Sequence, residues 1–254
     1  MGIINAYDTS RPLITPDLLY EKNDICDICI VTFSINVLNN VLENYNYEIA
    51  AKASYANGEI PIYYLSDYDV LFYMSPIGSA VASTTMQEVQ FITGARSFIV
   101  FGSCGIIDRS AENKIIVPME AYREEGFSYH YVKADRYIKI RNAEKVKEIL
   151  DNNDIDNITG KTWTTDAIYM ETINKANMRK QEGCICVEME ASGLQAICDY
   201  LKMDLYIFFF SGDILSHTWE RADLGGEKEK HKQLNCFEIA LLLLSELRKG
   251  QHGN

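Results

Sequence analysis

The strongest constraint on this chain is an alternation: short, almost wholly apolar runs are followed repeatedly by stretches with helical spacing. Ile28-Cys-Ile-Val31, Val70-Leu-Phe-Tyr-Met74, Phe98-Ile-Val-Phe101 and Leu205-Tyr-Ile-Phe-Phe-Phe210 lack the polar alternation of a half-solvated sheet, so they fit strands covered on both faces. Between them, Leu194, Ile197, Cys198 and Leu201 fall at i, i+3, i+4 and i+7, and Leu234, Phe237, Leu241, Leu244 and Leu247 form one stripe. The pattern predicts strands near 26–33, 60–65, 69–74, 97–102, 114–118, 159–164, 184–189 and 204–210. It predicts helices near 35–45, 79–93, 142–151, 190–202 and 229–248. The expected class is α/β, a sheet with helices on both faces. No Pro-rich, Gly/Ser-rich or charged linker interrupts the 254 residues, so one domain over 1–254 is expected.

Charge and cysteine usage narrow the partners. A net charge of -12 without clustered Lys and Arg argues against nucleic acid and leaves a small molecule as the natural ligand. The longest apolar runs, Ile207 to Phe210 and Ile239 to Leu244, are too short to span a bilayer, so no membrane is expected. Seven cysteines, an odd number lying mostly in apolar runs, suggest reduced thiols in a cytoplasmic protein. Cys26 with Cys29, and Cys184 with Cys186, have ligand-like spacing but no glycine turns of a zinc knuckle, so no metal is expected.

In open α/β sheets ligands gather at the carboxyl ends of strands, which singles out four places. Gly102-Ser-Cys-Gly105 follows one apolar run, with residues small enough to admit close approach of a ligand to the backbone. Ser211-Gly-Asp213 follows another and sets a carboxyl at its end. Ser75-Pro-Ile-Gly78 is a tight turn into a helix. The fourth is Val187-Glu-Met-Glu190, where a strand pattern becomes a helical one; an ionised Glu190 there can accept hydrogen bonds from two vicinal hydroxyls, as on a ribose. The same spacing also suits a glutamate favoured in a helix's first turn by the macrodipole.

Together these segments resemble the nucleoside phosphorylase and nucleosidase superfamily, especially its purine nucleoside and uridine phosphorylase branch, over about residues 26 to 248. Val-Glu-Met-Glu-Ala (187–191) is similar to the family's ribose motif, Gly-Ser-Cys-Gly (102–105) to its Gly-Thr/Ser-x-Gly loop, and Ser211-Gly-Asp213 to its Ser-Asp catalytic segment with one extra glycine. Arg123-Glu-Glu-Gly-Phe-Ser-Tyr-His130 and Trp163-Thr-Thr-Asp-Ala-Ile-Tyr169 resemble two further family stretches. The resemblance implies a three-layer α/β/α domain of nucleoside phosphorylase type with a mixed, partly barrel-like sheet. It assigns the ribose to Met189 and Glu190 with Glu188 beside them, and the nucleophile to Ser103 and Gly78. The base would meet Cys104, Gly105, Ile168 and Tyr169. Asp213 would be the general acid for the departing base, with Arg221 as its partner. Ile168 stands where many members carry a stacking phenylalanine, a place Tyr169 would fill. Homo-oligomers, dimers or hexamers, are the family's habit.

The departures bear on the acceptor. The arginine that follows the family's first strand is replaced by Val37, and a second phosphate arginine by Val100. Each charge-assisted hydrogen bond to an anion contributes about 1.5 to 3 kcal/mol, so losing two weakens phosphate binding by a factor on the order of a thousand. Hydrolytic relatives usually add a glutamate near the first strand, for which Glu21 is a distant candidate. Thr172 and Asn174 occupy the places of the uridine branch's pyrimidine-reading pair. The expected function is cleavage of a nucleoside's N-glycosidic bond, in salvage or catabolism, without an organic cofactor. The acceptor is open between inorganic phosphate as co-substrate and water, and the alternative is a nucleoside-binding protein of the same fold without turnover.

Overall fold

In the computed structural model, which describes residues 5–56, 58–215, 218–222 and 225–251, the described strands form one 11-stranded sheet. The chain runs β1 (Ile28–Thr32), α1 (Ile35–Asn44), β2 (Tyr47–Tyr55), β3 (Gly58–Leu65), β4 (Val70–Met74), α2 (Ser79–Thr93), β5 (Ser97–Ile106) and β6 (Ile115–Glu124). It continues through α3 (Ser128–Tyr131), β7 (Tyr137–Lys139), α4 (Ala143–Asn152), β8 (Asn157–Thr165), α5 (Ile173–Gln181) and β9 (Cys184–Glu188). The last elements are α6 (Ala191–Leu201), β10 (Asp204–Leu215), β11 (Trp219–Glu220) and α7 (Glu227–Gln251).

Strand β5 changes neighbours along one edge within this single sheet. Its first half, Ser97 to Phe101, lies parallel to β1, while its far end, Gly105 and Ile106, lies antiparallel to β9. Along its other edge β10 pairs with it in parallel from Asp204 to Ser211. Because β10 also pairs with β6, β6 with β8, and β8 with β9, these strands close a ring, and β1, β4, β3 and β2 extend from it as an open wing. The mixed, partly barrel-like sheet implied by the resemblance is therefore present. Helices α2 and α3 each pack against α6, and α1 and α4 each pack against α7, giving two helical groups around the sheet.

The apolar runs form the core. Ile28, Ile30, Phe72, Phe98, Phe101 and Phe208 are buried, and the rings of Phe101 and Phe208 stack with centroids 5.8 Å apart across the β5–β10 pair. Several elements carry too weak a pattern to be predicted. The wing's outer strand β2 alternates poorly, and its first residues are exposed, because an edge strand has one neighbour. Short β7 and polar α5 are placed by tertiary pairing rather than by propensity.

Two expected loops are strand. Gly102 to Gly105 lies within β5, and Ser211 to Asp213 within β10; cross-strand pairing outweighs the low strand propensity of Gly, Ser and Asp. The extra glycine of the Ser-Gly-Asp segment has a structural counterpart. Ser211 pairs with Cys104, but Ile214 pairs with Ile106, so β10 carries one residue more than β5 in this interval. That is a β-bulge, which re-aims the side chains around it.

Phe208→Ala removes a fully buried ring from the β5–β10 seam and is expected to lower stability by about 3 to 5 kcal/mol, read from urea unfolding followed by circular dichroism. A loss below about 1 kcal/mol would show that the seam is not a tightly packed interior.

Candidate active site

Where β5 leaves β1 for β9, the sheet splays and a cleft of 220 Å³ opens. Ser103, Cys104 and Gly105 enter it from β5, and Glu188, Met189 and Glu190 from the β9–α6 junction. Asp213 comes from the bulge of β10, and Ile168 from a one-turn helix, Ile168–Met170, after β8. The carboxyls of Glu190 and Asp213 thus share one cavity, as the sequence expectation requires. Gly78, Tyr169 and Arg221 are not among its lining residues.

The two glutamates of the β9–α6 junction differ in kind. Glu188 is buried, and its carboxylate is enclosed by protein donors: Thr164 and Thr162 hydroxyls donate to Oε1 at 2.6 and 3.2 Å, and the backbone N–H groups of Glu190 and Ala191 donate to Oε2 at 2.7 and 2.6 Å. It satisfies the orphan amides at the start of α6. Its position suits an anchor for the turn more than a ligand for ribose. Burial raises its pKa, and those four donors oppose the rise.

Glu190 is also buried, at 7% exposure, but is less enclosed. Gly78 N–H donates to its Oε1 at 2.7 Å, and Met189 N–H to Oε2 at 3.3 Å. Burial first, and then the charge of Glu188, push its pKa up to about 8 against those two amides. Gly78 therefore acts on the cleft through Glu190 rather than by lining it. Its φ of 105° is open to glycine and strained for other residues, and the neighbouring Ser79 hydroxyl donates to the Met189 carbonyl at 2.8 Å. The start of α2 is thereby tied to the glutamate turn.

Asp213 faces the glycine end of the cleft. A Cβ at Gly105 would strike Leu215, would stand 3.0 Å from Val187 and would lie 3.3 Å from Asp213 Oδ1, so only glycine leaves room there. The partner of Asp213 is Trp219, whose indole N–H donates to Oδ2 at 2.6 Å. The expectation for Arg221 is corrected: β11 ends at Glu220, Ala222 adopts a left-handed φ of 50°, and the exposed Arg221 guanidinium lies beside Gly225. Tyr169 is corrected likewise, since at 97% exposure it points away from the cleft, while Ile168 lies at its border.

One carboxyl in the cleft has no precursor in the sequence reading. Glu171, just after the one-turn helix, lines the same cavity, and burial, then Asp213, then Glu124 push its pKa up to about 7, with Lys175 opposing. No local pattern marks it, because only the return of the β8–α5 connection over the barrel brings it in. The described lining thus holds four carboxyls, Glu171, Glu188, Glu190 and Asp213, and no Lys, Arg or His. Val37 and Val100, at the positions of the missing arginines, are wholly buried in the core. Glu21 is exposed and outside the lining; Thr172 caps α5 by accepting from Lys175 N–H, and Asn174 is exposed.

The Arg123 to His130 stretch is structural. Arg123 is buried; it donates to Ser128 Oγ at 2.8 Å and to the carbonyls of Lys133 and Val132, and it lies over the Tyr129 ring. Ser128 and Ser192 hydroxyls both donate to Glu125 Oε1, which ties this block to α6. A larger hollow of 610 Å³ lies between the β3–β4 turn and α7, where Arg248 donates to the carbonyls of Tyr68 and Asp69; it shares no lining residue with the cleft. Among the described residues, no helix is long and apolar enough to cross a membrane, and no group of His, Cys, Asp and Glu is arranged to hold a metal ion.

Glu190 makes stability depend on pH in a defined direction. Folded, it keeps its proton up to about pH 8; unfolded, it loses it near 4.5, so between these values the folded state binds more protons. Stability is then expected to fall as pH rises through this window, by on the order of a few kcal/mol from this residue. Glu190→Gln should flatten that part of the curve in urea titrations at pH 5 to 8, and an unchanged slope would remove the assignment.

Comparison with known proteins bears on the fold. The fold is similar to purine nucleoside phosphorylase from Toxoplasma gondii in complex with immucillin-H (TM-score 0.71, 15% identity, 89% of this chain and 93% of that one). It is also similar to a futalosine hydrolase mutant of Helicobacter pylori (TM-score 0.70, 12% identity, 87% and 100%) and to AMP nucleosidase from Bacteroides thetaiotaomicron (TM-score 0.69, 18% identity, 89% and 90%). In sequence, 139 residues are 27% identical to the uncharacterized protein R802 of Acanthamoeba polyphaga mimivirus, so the match spans about half of each chain, 54% of both. Residues 27–243 match the Phosphorylase superfamily, and the chain belongs to that family.

Proposed function

We propose that this protein cleaves the N-glycosidic bond of a nucleoside, with water as the acceptor. The observation that carries this reading is the convergence of Glu190 and Asp213 on one cleft whose described lining has no cation. Ionised Glu190 would accept hydrogen bonds from the two ribose hydroxyls, with Met189 against the sugar. Asp213 would donate a proton to the base as the C1′–N bond lengthens and the sugar gains cationic character, which the surrounding carboxylates favour. The Trp219 indole holds Oδ2 and leaves Oδ1 toward Gly105, where the base would sit. Phosphate is disfavoured as acceptor because an anion entering among carboxyls without a cation loses solvation and gains repulsion.

A second reading, nucleoside binding without turnover, is favoured by one observation: beyond Glu190, the arm of the cleft next to Ser103 offers no carboxylate to take a proton from water. Incubation with a panel of nucleosides, with and without phosphate, separates the readings. Free base without phosphate is the expected result; release only with phosphate would refute water as acceptor. Binding without any release would establish the binder.

The clamp also fixes how affinity changes with pH. Gripping two hydroxyls requires the carboxylate, yet in the empty cleft Glu190 keeps its proton up to about pH 8. Nucleoside affinity is expected to rise about tenfold per pH unit below 8 and then level off, with release of a proton on binding, measured by calorimetry in buffers of different ionisation enthalpy. Glu190→Gln should lose both affinity and proton release; a variant that binds like the parent would refute the clamp.

We further propose self-association, resting on the family resemblance and on exposed apolar residues beside the cleft, Ile77 (64%), Tyr169 and Met170 (57%). Sedimentation velocity is expected to give a dimer or hexamer, shifted toward monomer by Tyr169→Asp; a monomer at micromolar concentration would refute this.

A further inference from the structure

The cleft has a second arm of 270 Å³ that runs from Gly102 and Ser103 to the turn between β1 and α1. Its polar side chains are Thr32, Ser34, Asn36, Ser103 and Gln233, and none of its described lining residues is charged. Gln233 comes from α7, far along the chain, and is 9% exposed. Ser34 Oγ donates to its Oε1 at 2.7 Å and Asn36 Nδ2 donates to the same oxygen at 3.2 Å. Two donors on one oxygen fix which way the amide faces. The Nε2 group is left with no protein hydrogen bond among the described residues, at the wall of a cavity large enough for several waters. The amide N–H₂ is not sealed off from solvent, so it is available to donate to an oxygen of a ligand or water in the arm.

We propose that Gln233 is the acceptor-binding residue, its Nε2 donating to the oxygen of an uncharged acceptor, water, and holding it against the sugar carbon. This rests on the nucleosidase reading above. Chemically, the C1′–N bond breaks with its electron pair going to the base nitrogen, which takes the proton of Asp213. The water oxygen forms the new bond to C1′ and loses a proton to solvent through the open cleft, and solvent then reprotonates Asp213. A neutral amide can hold and orient a water by hydrogen bonding, whereas it cannot neutralise a phosphate dianion. Ser34 and Asn36 act through Gln233 and are positioning residues.

Three proteins test this: the parent, Gln233→Ala and Gln233→Glu. The glutamate keeps an oxygen for Ser34 and Asn36 but removes the N–H₂ donor. The parent should release base at a rate indifferent to phosphate. Gln233→Ala should lower kcat about tenfold, the effect of one hydrogen bond, while nucleoside Kd by calorimetry stays within about twofold. Gln233→Glu should lower kcat by a similar factor, with nucleoside Kd again nearly unchanged, and it carries the test if the alanine variant fails to fold. A folded alanine or glutamate variant with the parent's kcat overturns the role of Gln233 and leaves the nucleosidase reading standing. A parent that binds nucleosides without releasing base, or releases it only with phosphate, overturns both.

Discussion

One strand has to serve two sets of neighbours, and the rest of the architecture follows from how it does so. Strand β5 is held on one edge by β10 along most of its length, while its other edge changes partner from β1 to β9. A continuous sheet leaves no room between adjacent strands for a ligand; a strand that exchanges neighbours must leave a gap at the exchange. Here the gap falls at Gly102 to Cys104, between the two pairings, and small side chains keep it open. The bulge in β10 lies directly alongside and delivers Asp213 to the same opening.

The second requirement is electrostatic. Carboxyls gathered in a small cavity raise one another's pKa, and burial adds to the effect. The protein separates them by partner. Glu188 is enclosed by donors and holds the turn, while Glu190 and Glu171 are left to titrate near neutral pH. A cavity of this kind favours ligands rich in hydroxyl and N–H donors and disfavours anions. The uncharged arm beside it extends that preference.

Much of this was legible in the sequence, for identifiable reasons. The buried parallel strands announce themselves as unbroken apolar runs, and the glutamate junction is visible because a strand pattern meets a helical one at Val187 to Glu190. The order of the motifs pointed to the family that residues 27–243 match. What was not legible depends on the return path of the chain. Glu171, Trp219 and Gln233 carry no local signature; a connection, a hairpin and the last helix bring them to the cleft from elsewhere. Arg221 and Tyr169 mislead because charge and aromaticity suggest a site, while the backbone directs both outward. Low β-propensity hid the far ends of β5 and β10, since pairing on both edges stabilises what glycine and aspartate alone do not.

The indole that meets Asp213 has an optical consequence. The chain contains two tryptophans; Trp163 lies wholly inside a small apolar cluster, and Trp219 is 60% exposed with its ring nitrogen on a carboxylate. Their emission is expected to separate into a blue, shielded component and a red, solvated one, and only the residue behind the red one touches the Asp213 end of the cleft. The fold has in effect labelled its candidate cleft with a native fluorophore.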